Sequence, residues 1–163
     1  MFGLTTLGAI HTAISLVALA AGIVSIVRFG EIAAGRTVGR VYVWATVLTC
    51  LTGFGIFQRG GFGAPHMLGI AALADSGRLF GGWSRYVATV AFSTTLFFHM
   101  IPGLTETFTR LPAGAPLFTS PEDPALQRTV GVFFVLLVIG CILQVRRLRA
   151  RGTASLPGAG LIG

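Results

Sequence analysis

Lysine is missing from this chain: all twelve of its cationic side chains are arginines, and only five carboxylates face them. Charged residues make up 10% of the 163 positions, where a soluble domain carries about a quarter. That scarcity excludes a water-soluble globule with a solvated charged surface. The net charge of +7 does not point to nucleic acid either. Four of the twelve arginines sit in "RRLRAR", 146–151, directly after an apolar run. Arginines placed there mark the cytoplasmic side of a membrane segment.

Other absences narrow the chemistry. No GxSxG or HExxH motif is present, and no phosphate-binding P-loop. Three histidines are far too few for the histidine-rich set of a membrane di-iron oxidase. Enzyme chemistry is therefore poorly supported. Cys50 and Cys141 lie singly inside apolar runs without CxxC spacing, which reads as small membrane-buried side chains. The opening "MFGLTTLGAI" lacks a basic start, and its apolar run is long enough to span rather than to serve as a secretory signal.

What is present is apolar sequence and glycine. Hydrophobic residues make up 53% of the chain and there are 23 glycines; the mean hydropathy is +0.82. Small residues suit close helix contacts in lipid. Five apolar segments can be read, at 4–27, 41–58, 62–77, 86–105 and 129–145. A crossing helix needs about 20 residues. Segment 62–77 is short and carries Asp75, three residues before Arg78, a spacing that lets the two pair. The arginine count alternates along the connections: rich at 28–40, poor at 59–65, rich at 78–85, poor at 106–128, rich in the tail. An all-α bundle of five transmembrane helices, N-terminus outside and C-terminus cytoplasmic, satisfies every connection. Four helices with 62–77 re-entrant is the alternative. The domain is then 1–151, with a proline-rich outside loop at 106–128 and a disordered tail at 152–163. The expected location is a bacterial inner membrane.

All three histidines fall in membrane segments. His11 precedes Arg28 by 17 residues, His66 precedes Arg78 by 12, and His99 follows Arg85 by 14. At ~1.5 Å per residue they stand about 25, 18 and 21 Å above the cytoplasmic arginines. Three helices thus bring imidazoles to one layer in the outer half of the bilayer. Intramembrane ionisable groups tend to face the bundle interior, and neutral imidazole is the commonest metal ligand. Two histidines can hold a haem iron; three can hold copper or zinc. Arg59 and Arg128, near the outer boundary, are candidate partners for haem propionates. Glu106 lies seven residues after His99 and is a candidate metal ligand or partner to one. Phe97, Phe98, Phe133 and Phe134 can line a flat tetrapyrrole or face lipid. Tyr42, Trp44, Trp83 and Tyr86 read as an interfacial belt. Met67 and Met100 read as core packing.

Against the cofactor stands a plainer role for each histidine, a hydrogen bond to a hydroxyl on a neighbouring helix. Thr12, Ser15, Thr52, Ser93, Thr94 and Thr95 are all available. On that reading the chain is a non-catalytic accessory subunit of a larger respiratory or photosynthetic membrane complex. Its histidines are then structural or ligate a pigment. A proton or small-solute pathway through the polar layer is a third reading.

The stretch "GRTVGRVYVWATVLTCLTGFGIF", 35–57, resembles a widespread family of bacterial membrane proteins of unknown function. That family carries an early His in one helix and an HR-x-x-GR-x-Y loop before the next. His11 matches the early His, and Arg36, Gly39, Arg40 and Tyr42 match the loop. "TETFTRLP", 105–112, is similar to family sequence after a later helix, so the resemblance covers residues 7–112. Gly35 stands where the motif has His, and "GGWSRYV", 81–87, lacks the His of the corresponding family loop. The resemblance implies the fold and the membrane location, and the loss of any cytoplasmic-side histidine site. More distantly, the chain is similar to four-helix membrane proteins that assist haem–copper oxidase assembly.

Overall fold

The computed structural model describes residues 6–53, 55 and 84–154, and every regular element among them is an α-helix. Helix α1 spans Thr6–Phe29, α2 Thr37–Gly53, α3 Ser84–Phe108 and α4 Pro124–Ala154. Thr6–Phe29, Arg85–Phe108 and Pro124–Arg151 are long and apolar enough to cross a membrane. At ~1.5 Å per residue the 24 residues of α1 reach about 36 Å, more than the ~30 Å hydrocarbon core. The 17 residues of α2 lie at the short end of the spanning range. The predicted segment 62–77, with His66, and Arg59 lie outside the described residues.

Local chemistry sets the helix ends, and several differ from the predicted ones. α1 closes at Gly30, whose φ of 75° lets its amide reach the Ile26 carbonyl at 2.8 Å. Glycine makes that left-handed closure without strain. α2 begins at Thr37 rather than 41, and α3 runs through Pro102 to Phe108. α4 begins at Pro124 rather than 129. Asp123 caps it, its Oδ1 accepting the Ala125 amide at 2.8 Å. Pro124 takes the first helical position, where no amide donor is required. The predicted loop 106–128 therefore narrows to 109–123.

α4 also continues past the end of its apolar run to Ala154. Residues 152–154, expected in a disordered tail, are thus helical. Hydropathy marks where a helix leaves the membrane and not where it stops: arginine, leucine and alanine are all good helix formers.

The loop 109–123 is tied back on itself. Phe118 donates its amide to the Phe108 carbonyl at 3.1 Å, and the two rings meet edge to face at 6.2 Å. Asp123 Oδ2 accepts both the amide and the hydroxyl of Thr119, at 2.9 and 3.0 Å. The Thr119 and Ala125 amides hold the Asp123 carboxyl below the usual carboxylate range. A depressed pKa adds stability that is complete above the unfolded value, near pH 4. It is lost as pH falls through the folded value. The Asp123→Asn protein is therefore expected to lose stability less steeply than the parent on acidification below about pH 4. Thermal midpoints in detergent across the acid range check this; parallel curves for the two proteins would refute it.

Side-chain contacts set the helix directions. His11 and Ser15 of α1 meet Thr52 and Thr49 of α2, so α1 and α2 are antiparallel. Tyr42 and Thr46 of α2 meet Thr95 and His99 of α3, so α2 and α3 are parallel. Ser93 of α3 meets Gln144 of α4, and Phe97 meets Phe134, so α3 and α4 are antiparallel. Arg28, Arg36, Arg40, Arg85 and the arginines of the α4 tail accordingly share one end of the bundle. Arg151 pairs with Glu31 there at 3.7 Å, and Arg147 reaches the Phe29 carbonyl at 3.4 Å.

The core lies where α1, α2 and α3 meet. Ala18, Ala21 and Ala45 let the backbones approach, and Tyr42 fills the centre with 0% exposure. Its phenol lies 2.7 Å from Thr95 Oγ1 and 3.2 Å from the Phe92 carbonyl. Thr95 also donates to the Phe92 carbonyl at 2.9 Å, so phenol, hydroxyl and carbonyl form one hydrogen-bonded cluster. α4 packs on α3. It is pinned by Gln144, which accepts from Ser93 at 2.9 Å and donates to the Gly30 carbonyl at 2.9 Å.

Candidate functional site

His11 and His99, 88 positions apart in the chain, line the same cavity. It has a volume of about 340 Å³ and lies between α1, α2 and α3. That is the small end of ligand pockets, which run from about 300 to 1,000 Å³. Ser15, Thr46, Thr49 and Thr95 add hydroxyls to its wall, and Cys50, Phe98 and Pro102 complete it. Such a concentration of polar side chains inside apolar helices is the pattern expected of an interior site rather than a lipid face.

The helical repeat explains the convergence. His11, Ser15, Ala18 and Gly22 recur at i, i+4, i+7 and i+11 on α1, forming one small and polar stripe. Tyr42, Thr46 and Thr49 do the same on α2, and Phe92, Thr95 and His99 on α3. Antiparallel and parallel packing then bring the three stripes together.

Each imidazole is held by a threonine of α2. His11 Nδ1 lies 2.9 Å from Thr52 Oγ1. Thr52 Oγ1 is also within hydrogen-bonding reach of the Leu48 carbonyl at 2.8 Å and the Thr49 carbonyl at 3.1 Å. Which partner donates in the His11–Thr52 pair is set by the imidazole tautomer. His99 Nε2 lies 3.2 Å from Thr46 Oγ1, and its ring stands edge-on to Tyr42 at 6.1 Å. His99 is 9% exposed; His11 is half-buried. A hydrogen bond to one ring nitrogen fixes the orientation of an imidazole.

The remaining predicted site residues fall elsewhere. Glu106 pairs with Arg110 at 2.6 Å, one turn further along the chain, and does not line the cavity. Arg128 is exposed on the first turns of α4 and donates Nε–H to the Pro124 carbonyl at 3.2 Å. Of the four phenylalanines, Phe98 alone lines the histidine cavity. Phe97 stacks on Phe134 at 5.8 Å, and Phe133 lines a separate 180 Å³ cavity between α3 and α4. No group of three or more His, Cys, Asp or Glu able to hold a metal occurs among the described residues.

Tyr42 was expected at the interface and is instead the most buried large side chain. The signal that places it inside was present: it stands four residues before Thr46 and seven before Thr49, on one helix face. Thr46 was not singled out from sequence, although the same repeat marks it.

Fold and site together define a helical membrane protein with a half-open cavity between α1, α2 and α3 that carries two histidines and four hydroxyls. Comparison with protein-family models, with curated proteins and with solved structures finds no match to this chain.

Proposed function

We propose that this protein sits in a bacterial inner membrane and holds a haem iron or a transition metal between His11 and His99. The site lies in the outer half of the bilayer and serves electron transfer or cofactor handling. One observation carries the reading: two histidines on different helices line the same cavity, each hydrogen-bonded to a threonine of α2. Two histidine nitrogens would be enough to hold an iron already bound in a macrocycle. A bare zinc or copper ion asks for three or four donors. Cys50 on the cavity wall and His66, outside the described residues, are the candidates to complete such a set. A haem iron or copper held there would supply one-electron exchange, which zinc cannot. The chain's own part would be to orient the two imidazoles, with Phe98 and Ile101 supplying apolar wall beside them.

The proposed topology has five crossings, with the N-terminus outside and the arginine-rich end cytoplasmic. Two observations support it. The arginines of α1, α2, α3 and α4 gather at one end of the bundle, as the positive-inside rule requires. α2 and α3 run parallel, so the chain between Gly53 and Ser84 has to return from the outer end to the arginine end. The apolar run 62–77, which holds His66, is the stretch of sequence long enough to carry that return.

A second reading is favoured by the threonine contacts themselves. Hydrogen bonds to Thr52 and Thr46 satisfy both histidines without any cofactor, as in an accessory subunit. α4 supports it too, with exposed Val132, Phe134, Val135, Ile139 and Leu143 available to other subunits or to lipid. Optical spectra of the purified protein, oxidised and dithionite-reduced, with metal analysis, separate the two. The cofactor reading expects a Soret band or stoichiometric metal in the parent. His11→Ala and His99→Ala should each lose it, and Glu106→Gln should retain it. A colourless, metal-free parent that copurifies with stoichiometric partners would establish the accessory role instead.

A further inference from the structure

The arginine end of the bundle is strongly unbalanced in charge. Arg28, Arg36, Arg40, Arg85 and the four arginines of the α4 tail are all exposed there. Glu31 is the one carboxylate at that end among the described residues, and Arg151 already engages it at 3.7 Å. Eight cations against one anion leave a field that attracts negative charge over about a Debye length.

A groove opens from this end along the outside of α1 and α2, with a volume of about 560 Å³. Ile14 and Val17 of α1 form one wall; Val41, Ala45 and Leu48 of α2 form the other. Trp44 lies along it, 66% exposed. Thr37 and Arg40 close its lower end. The guanidinium of Arg40 reaches Thr37 Oγ1 at 3.4 Å, too long to engage it strongly. From Thr37 to Leu48 the groove follows α2 for about 16 Å. One leaflet of hydrocarbon is about 15 Å deep, half of a ~30 Å core. The groove is therefore apolar over the depth of one leaflet and cationic at its headgroup end alone.

We propose that this groove binds an anionic phospholipid of the arginine-side leaflet. Its acyl chain lies between α1 and α2 along Val17, Trp44 and Leu48, and its phosphate sits against Arg40 and Thr37. Arginine presents a fork of donors that matches two phosphate oxygens. A zwitterionic lipid fills the same groove, but its ammonium group meets the field of the neighbouring arginines. Net anionic headgroups are therefore preferred. The site is separate from the histidine cavity, which opens between α1, α2 and α3, and its occupancy does not depend on any cofactor there.

The test uses the full chain purified in a neutral detergent, with the thermal midpoint as readout. It is titrated with phosphatidylglycerol, with phosphatidylcholine of the same acyl chains, and with soluble glycerol phosphate. Phosphatidylglycerol is expected to raise the midpoint at lower concentration than phosphatidylcholine, and glycerol phosphate to leave it unchanged. Arg40→Gln should weaken the phosphatidylglycerol response about fivefold, the share of one arginine near an anionic surface, and leave the phosphatidylcholine response in place. Arg146→Gln removes the same charge away from the groove and should have a smaller effect. Val41→Trp, which narrows the groove, should weaken both lipids; it carries the test if Arg40→Gln fails to fold. Equal responses to the two lipids would overturn the proposal. So would a response to glycerol phosphate that matches the lipid, or equal losses in Arg40→Gln and Arg146→Gln.

Discussion

Replacing Tyr42 with alanine is expected to cost about 3–5 kcal/mol, the range for truncating a large buried aromatic. Tyr42, on α2, packs against both α1 and α3. Its ring stands edge to face with Phe92 at 6.2 Å and with His99 at 6.1 Å. It also packs against the backbone of α1 at Gly22, where an added Cβ would lie 2.9 Å from the tyrosine ring. α1, α2 and α3 therefore lose their shared filler together, and the cavity left behind adjoins the histidine site. Tyr42→Phe separates packing from hydrogen bonding. It removes the phenol's bond to Thr95 and keeps the ring. Polar bonds between membrane helices average about 0.6 kcal/mol, with a ceiling near 1.7. A loss below about 1.7 kcal/mol for Tyr42→Phe beside several for Tyr42→Ala is the expected pattern. Equal losses in the two would mean that the phenol, not the ring, holds the core. Unfolding in mixed micelles with a graded denaturing detergent measures both.

The second large effect is expected at Gly39. It is buried at the foot of α2, and an added Cβ would run into the carbonyl of Ala33. Backbone cannot rotate away as a side chain can. Gly39→Ala must therefore push the 30–36 turn off α2, at a cost at or above the usual 1–3 kcal/mol for overpacking. Gly35 is the matched control. It stands in the same connection, exposed, and a Cβ there meets nothing within 4 Å. Gly35→Ala is expected to be neutral or to gain about 0.4–1 kcal/mol through a less flexible unfolded chain. Thermal midpoints of the two variants should thus move in opposite directions or differ by many degrees. Similar midpoints would contradict the close approach of the turn to α2. The pair also bears on the loop "GRTVGR": Gly39 is needed for the approach, whereas Gly35 leaves room for a larger residue.

Much of the architecture was legible in the sequence because lipid imposes a simple rule. Apolar length and arginine placement gave the helical class, three of the spans and the gathering of the arginines at one end. The ruler that put His11 and His99 at similar heights rests on nothing but rise per residue, and the two do share a cavity. Boundaries were less legible. The Asp123–Pro124 start of α4 is a hydrogen-bonding signal that hydropathy does not register. The helical arginine tail is polar and still continues the helix. Neighbours across helices were the least legible. Glu106, seven residues beyond His99, shares its helix face but stands about 10 Å further along the axis, and it pairs with Arg110 instead. Tyr42, two residues from Arg40, looked interfacial by position but is interior by its i+4 and i+7 companions.

Gln144 has a consequence for how the chain is assembled. It joins Ser93 to the carbonyl of Gly30, so the first described helix and the last are clasped across 114 positions of sequence. During synthesis α1 enters the bilayer long before α4 exists. Until Gln144 follows, the clasp between them cannot form. The first three described helices can gather around Tyr42 as they are made, but the four described helices are joined only after Gln144 has left the ribosome. An amber stop ahead of Gln144 should therefore leave a nascent protein whose early helices are inserted yet open to proteolysis at the Gly30 turn.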